Sequence, residues 1–228
     1  MKKRLRILHL EDNPADAELV RSMLEEQGID CTLSRMRTRA EFQAALDQTD
    51  FDLIISDFTL PQFDGLSALK MARQQRPATP FLFVSGTMGE EAAVESLKQG
   101  ATDYVLKHRL SRLATSVERA VREAKERVER AQAEETLRMQ AQVLESMSEG
   151  VLVIDDRGMI QHANPAAEQM FGYSHGKLQG RMLADMNKLS AAENQQLVNQ
   201  ILDQIGRQGH WTGEFENRKK GRDTSFFT

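Results

Sequence analysis

The stretch DLIISDFTLPQFDG, residues 52–65, decides the fold of the first part of this 228-residue chain. It joins a continuous apolar run at Leu53–Ser56 to an acidic residue, Asp57, and then to a turn that contains Pro and Gly. Short apolar runs of this kind are typical of strands buried on both faces of a parallel sheet. Four more candidate strands lie at Leu5–Leu10, Cys31–Met36, Pro80–Val84 and Asp103–Leu106.

Amphipathic stretches separate these runs and predict helices near residues 14–27, 38–48, 65–75 and 88–99. Asn13-Pro14 favours a helix start, because Asn caps a helix well and Pro suits its first position. Strands that alternate with helices of this length form parallel βαβ units. Residues 1–112 are therefore predicted to form a five-stranded, parallel, doubly wound α/β domain.

Residues 113–146 are predicted to form one long linker helix, because residues 115–149 contain neither Gly nor Pro. Apolar residues step by four and three from Val117 to Ala131, and a second, offset series runs from Ala133 to Met147. Such a seam predicts a coiled coil that pairs two copies of the chain. A solvated single helix packed on its own domain is the alternative.

The remaining residues, 147–228, alternate short strands and helices in an α+β pattern. The turn Asp156-Arg157-Gly158 predicts a β-hairpin between Val151–Asp155 and Met159–Ala163. Helices are predicted at Pro165–Phe171 and Ala191–Ile205, and two further strands at His210–Asn217 and Asp223–Phe227. Since Thr228 falls in the middle of a predicted strand, we expect this domain to be incomplete at its C-terminus and its first hairpin to be loosely held.

The carboxyl ends of the predicted parallel strands carry charged and hydroxyl groups, namely Glu11, Asp12, Asp57, Ser85 and Lys107. In such a sheet, functional groups collect in the crevice at these strand ends. Three carboxylates in one crevice repel each other unless a hard cation lies among them, and oxygen ligands favour Mg²⁺. Asp57 could then act as a nucleophile that forms an aspartyl phosphate, while Lys107 pairs with the phosphoryl group and Ser85 donates a hydrogen bond to it.

Four segments, ILHLEDNP, DLIISDFTLPQFDG, FLFVSGT and GATDYVLK, resemble the receiver domain of two-component response regulators. The resemblance implies a flavodoxin-like sheet and a phosphoryl group that Asp57 accepts from a histidine kinase or a histidine phosphotransfer protein. It implies Mg²⁺ ligands at Glu11, Asp12, Asp57 and the backbone carbonyl of Thr59. It also implies that Ser85 and Lys107 sense the phosphate and that Tyr104 is an aromatic switch.

Two positions distinguish this sequence from the family pattern and from a rival family. Receiver domains often have a Pro in a cis peptide after the lysine, whereas this chain has His108. A cis peptide without proline costs about 2.5–4 kcal/mol, so we expect a trans bond and an altered path into the next helix. A phosphatase of the haloacid-dehalogenase type also uses a strand-end Asp, but it needs a second Asp two residues later, where this chain has Thr59.

The segments MSEGVLVIDDRGMIQHANPAAEQMFGYS and GHWTGEFENRKK resemble a PAS sensor domain. A cysteine-linked flavin is excluded as its cofactor, because the single cysteine, Cys31, lies in the other domain. Haem is not expected, because the helix predicted near residues 191–208 contains no histidine. His162, His175 and His210 are interpreted as surface or strand residues, and the sequence names no ligand for this domain.

Thirty Lys and Arg against 34 Asp and Glu give a net charge of −4, which argues against nucleic-acid binding. No apolar run is long enough to span a membrane, and a single cysteine suits a reducing cytosol. We therefore hypothesise a cytoplasmic, homodimeric phosphorelay protein, itself not an enzyme. It would pass the change at Asp57 through the helix to the PAS domain and to an output beyond Thr228. The alternative is an input fragment of a larger enzyme, such as a diguanylate cyclase, a cyclic-di-GMP phosphodiesterase or a hybrid histidine kinase.

Overall fold

A computed structural model of the chain describes residues 4–61, 63–86, 89–186, 189–208, 215–219 and 222–227. The chain divides into two units, residues 1–133 and 134–228. The strands of the first unit are β1 (Leu5–Leu10), β2 (Cys31–Met36), β3 (Leu53–Ser56), β4 (Phe81–Ser85) and β5 (Asp103–Leu106). Its first four helices are α1 (Pro14–Glu26), α2 (Arg39–Gln48), α3 (Gly65–Gln75) and α4 (Glu90–Lys98). All of these elements lie close to their predicted bounds.

The five strands pair in the order β2-β1-β3-β4-β5, and every neighbouring pair is parallel. Successive side chains of a strand point to opposite faces of the sheet. On β1, Ile7 therefore joins an apolar cluster with Val20 of α1, whereas Leu8 joins a second cluster with Phe42 of α2 and Leu69 of α3. Helices cover both faces of the sheet, and the prediction of a doubly wound α/β fold is confirmed.

A long helix, α5 (Leu113–Ser146), follows the sheet. Lys107–Arg112 forms a 3₁₀ turn with a non-helical backbone at Arg109, and no peptide in the described residues is cis, as predicted for the bond before His108. The first turns of α5 are buried as far as Ala120, whereas Leu137 is 65% exposed. The long helix is therefore confirmed, and its pairing with a second copy stays a prediction. No helix in the described part of the chain is both long and apolar enough to cross a membrane.

The described residues of the second unit form two antiparallel pairs of strands and, besides the end of α5, two α-helices and a 3₁₀ turn at Leu183–Met186. These elements are β6 (Leu152–Ile154), β7 (Ile160–Ala163), α6 (Pro165–Phe171), α7 (Ala191–Gln208), β8 (Phe215–Lys219) and β9 (Arg222–Phe227). The first hairpin contributes Ile160 to a small apolar core, whose other buried residues are Phe171, Leu178 and Met186. The predicted hairpin is confirmed. Its loose attachment to the rest of the domain stays a prediction. His210 lies outside the described residues.

Asn164 connects α5 to the rest of the second unit. This fully buried side chain accepts hydrogen bonds from the N–H groups of Val151 (2.8 Å) and Ala167 (2.9 Å), the second of which caps α6. Its amide group donates to the carbonyls of Leu144 (3.1 Å) and Glu149 (2.8 Å). One side chain therefore ties the last turns of α5 to the hairpin and to α6.

We predict that Asn164→Ala lowers the free energy of unfolding of the second unit by about 2–4 kcal/mol, because buried backbone groups lose their partner and α6 loses its cap. Urea denaturation read by hydrogen exchange of α6 measures the change. Asn199→Ala, at an exposed position of α7, is the matched control and should change stability by less than about 0.5 kcal/mol. An equally small loss for Asn164→Ala would contradict the assignment.

His9 of β1 is a buried histidine in the first unit, with 0% exposure and no hydrogen-bond partner for either ring nitrogen in the described structure. Burial lowers the pKa of His9 to about 3, and the positive charges of Lys107 and Arg35 act in the same direction. His9 is therefore neutral in the folded protein at neutral pH.

Because unfolded His9 takes up a proton near pH 6.5 and folded His9 only near pH 3, the unfolded state binds more protons between these values. The contribution of His9 thus falls as the pH drops below 6.5. We predict that this lowers the free energy of unfolding by about 2 kcal/mol between about pH 7.5 and pH 5. Hydrogen exchange of β1 and β3 in urea, compared between the wild type and His9→Leu, isolates the contribution of His9 to the free energy of unfolding. Equal pH slopes in the two proteins would show that His9 does not titrate in this way.

Candidate functional site

Three carboxylates meet at one end of the parallel sheet. Glu11 follows β1, Asp57 follows the neighbouring strand β3, and Asp16 lies in the first turn of α1. One oxygen from each of them lies within 4.8 Å of the others. Glu11 is only 1% exposed and Asp57 8%, so water screens their mutual repulsion poorly.

Lys107 supplies the positive charge of this cluster. It directly follows β5, and its Nζ donates hydrogen bonds to Glu11 Oε2 at 2.8 Å, Asp16 Oδ2 at 2.6 Å and Asp57 Oδ2 at 2.7 Å. One ammonium group therefore holds three carboxylates. These three negative charges against one positive charge leave the cluster with a negative excess.

Burial and hydrogen bonding shift the pKa values of Lys107 and Glu11 in opposite directions. Burial by itself would lower the pKa of Lys107, but the hydrogen bonds to Asp16, Asp57 and Glu11 outweigh it and raise this pKa above its usual value. Burial raises the pKa of Glu11, and the opposing effect of Lys107 does not fully offset it. Lys107 thus stays charged at neutral pH, and its hydrogen bond to Glu11 opposes the effect of burial on that carboxyl.

The other predicted residues lie around the same strand ends. The backbone N–H of Thr59 donates to Asp57 Oδ1 at 3.2 Å, so Asp57 is oriented through both of its oxygens. Ser85 is buried at the end of β4, and Tyr104 of β5 is half-buried against the cluster that contains Phe83. Ser85 and Tyr104 therefore lie on β4 and β5, the two strands between β3 and the edge of the sheet that precedes Lys107.

Asp12 is not among the three carboxylates that converge in the described structure. Its backbone carbonyl accepts a hydrogen bond from Arg35, and Asp16 joins the cluster one helical turn further along the chain. Asp16 is not among the site residues predicted from the sequence. Asp16 lies four residues after Asp12, in the first turn of the helix that Asn13 caps. Because α1 begins beside the strand ends, this spacing is the signal that could have identified Asp16.

The donors of the cluster suit a hard divalent cation. Glu11, Asp16 and Asp57 offer only carboxylate oxygens, which Mg²⁺ prefers, and the cluster has negative charge to spare. A bound cation would meet competition from Lys107, since the same three side chains accept the hydrogen bonds of that ammonium group. The acidic cluster therefore fits Mg²⁺ binding.

Comparison with known proteins gives two domain matches. The model of the response regulator receiver domain matches residues 7–118, and a PAS domain model matches residues 138–203. The first match contains the whole acidic cluster. The second contains the β6–β7 hairpin, α6 and the buried Asn164.

Curated relatives match about half of the chain. The transcriptional regulatory protein ZraR of Salmonella typhimurium is 28% identical over 127 residues, which is 55% of this chain and 28% of that protein. The luminescence regulatory protein LuxO of Vibrio campbellii is 30% identical over 116 residues, 50% of this chain and 25% of that protein. The chain thus spans only about a quarter of the length of these two relatives.

Among solved structures, the receiver domain of a Francisella response regulator is 28% identical, with a TM-score of 0.47, over 53% of this chain and 98% of that one. Receiver and PAS domains are regulatory modules of signalling proteins, and receiver domains serve two-component phosphorelays. The chain therefore carries a response regulator receiver domain at residues 7–118, followed by a PAS domain at residues 138–203.

Proposed function

We propose that this chain is a phosphorelay protein in which Asp57 accepts a phosphoryl group from a histidine kinase or a histidine phosphotransfer protein. The observation that carries the proposal is the oriented carboxylate of Asp57, hydrogen-bonded to Lys107 on one oxygen and to the N–H of Thr59 on the other. Asp57 is buried, but it is more exposed than Glu11, whose other carboxylate oxygen accepts from the N–H of Asn13. Of these two strand-end carboxylates, Asp57 is therefore the one that we assign as the nucleophile.

In the proposed step, a carboxylate oxygen of Asp57 attacks the phosphorus of a phosphohistidine. The new P–O bond forms as the P–N bond breaks, and the imidazole leaves with the electron pair and takes up a proton. Lys107 is charged at neutral pH and pairs with the added phosphoryl charge, and Ser85 donates a hydrogen bond to it. Bound Mg²⁺ would supply further positive charge to the phosphoryl oxygens. Its proposed ligands are Glu11, Asp12, Asp57 and the carbonyl of Thr59, to which the cluster adds Asp16.

We further propose that the phosphoryl group changes the face of the receiver formed by β4, β5 and α5. Ser85 pairs with Leu106 at the end of β4, and Tyr104 pairs with Phe83 two positions earlier, so Ser85 and Tyr104 lie on the same face of neighbouring strands and a shift of one affects the packing of the other. α5 begins directly after this face and carries exposed apolar residues along its length, among them Val128, Leu137 and Val143. These residues suit pairing with a second copy, which would carry the change toward the PAS domain.

In this proposal the chain divides into a receiver over residues 1–112, a linker over 113–146 and a PAS domain over 147–228. The cytoplasm is the proposed location. No nucleic acid is proposed as a partner. The PAS domain acts here as the element that receives the signal of α5, since Asn164 bonds directly to the carbonyl of Leu144 in that helix.

Phosphorylation from acetyl phosphate with Mg²⁺ tests the proposed function. Intact-mass spectrometry should find one added phosphoryl group on the wild type, lost on treatment with hydroxylamine, and none on Asp57→Asn. Asp47→Asn, at an exposed position of α2, is the control and should be labelled like the wild type. A wild type that takes up no phosphoryl group, or an Asp57→Asn protein that is still labelled, would overturn the assignment.

A further inference from the structure

A groove of about 400 Å³ lies at the opposite end of the sheet from the acidic cluster. Its walls are the segment after α3, from Pro77 to Pro80, and the segment before β5, from Gly100 to Thr102. α5 closes the third side with Ala120 and Ala124, whose small side chains leave the space open. The groove belongs entirely to the first unit and shares no residue with the acidic cluster.

Arg73 is fixed at this groove by backbone groups. Its Nε donates to the carbonyl of Gly100 at 2.9 Å, and its Nη1 donates to the carbonyls of Pro77 at 3.2 Å and Thr79 at 2.6 Å. Gly100 has a φ of +103°, and a Cβ there would lie 3.3 Å from Arg73 Nε, so glycine leaves room for the side chain to lie across it. The guanidinium is thus held in place, and the described residues offer no acceptor to the two N–H groups of Nη2, which can bind a further one.

A second arginine, Arg127 of α5, lines the same groove. Burial lowers the pKa of Arg73, and the like charge of Arg127 adds to this effect. Glu123 is the one acidic side chain in the described lining, so two cations share the groove with a single carboxylate. An anion between the two guanidinium groups would relieve their repulsion and accept their hydrogen bonds.

We propose that this groove binds a small organic anion, whose carboxylate or phosphate group lies between Arg73 and Arg127. Its apolar part would lie on Pro80, Ala120 and Ala124, which offer no charge. Ala120 is the last fully buried residue of α5, so the anion would hold the next two turns of the helix, through Arg127, against the receiver. The proposal does not rest on phosphorylation at Asp57.

Titration of the full chain with pyrophosphate and, separately, with citrate tests the proposal, at constant ionic strength and without Mg²⁺. Backbone NMR shifts should change saturably at Gly100–Thr102 and Glu123–Arg127, and hydrogen exchange of this part of α5 should slow. Arg127→Gln should weaken binding roughly tenfold, the effect of losing one hydrogen bond between charged groups. Arg122→Gln removes the same charge from an exposed position of the same helix and should leave binding unchanged.

Ala124→Leu provides a second test, because it fills the groove without changing any charge, and it should also weaken binding. If only pyrophosphate binds saturably, the ligand carries a phosphate group. If only citrate binds saturably, the ligand carries a carboxylate group. Two results would overturn the proposal. One is the absence of saturable shifts with either anion, and the other is equal weakening by Arg127→Gln and Arg122→Gln, which would indicate general attraction to a basic surface.

Discussion

The contact of the Lys107 ammonium group with three carboxylates is the interaction on which the receiver site depends. Glu11 and Asp16 flank the start of α1, Asp57 follows β3, and the three side chains converge on one ammonium group. Without a cation, nothing would offset the repulsion between these like charges at this spacing. Lys107 therefore keeps the site assembled, and a divalent cation or a phosphoryl group must act by changing its contacts.

The fold brings this constellation together at little structural cost. Parallel strands place every carboxyl end at one edge of the sheet, so Glu11, Asp57 and Lys107 need only follow β1, β3 and β5. The apolar layers on both faces fix these strands, and the buried, neutral His9 adds no positive charge beside Lys107. Lys107 begins the 3₁₀ turn that leads from β5 into α5, which links the site to the long helix by a short covalent path.

Sequence reasoning reached the sheet, the long helix and the strand-end residues, because each depends on a local pattern of apolar and polar residues. It missed Asp16, since whether this carboxylate reaches the cluster depends on how the first turn of α1 faces the strand ends. It also missed the groove at Arg73. The carbonyls that fix this side chain belong to residues 4, 6 and 27 positions later in the chain. Asn164 belongs to a recognisable motif, but its bond to the Leu144 carbonyl requires the folded junction.

The Mg²⁺ affinity of Lys107→Met, measured by calorimetry, tests most directly whether Lys107 and a divalent cation compete for the same carboxylates. Lys98→Met, at an exposed position of α4, removes the same charge away from the site and serves as the reference. The account predicts Mg²⁺ binding at least about tenfold tighter in Lys107→Met than in Lys98→Met, because three hydrogen bonds to the ammonium group no longer have to be displaced. Equal or weaker binding in Lys107→Met would contradict it.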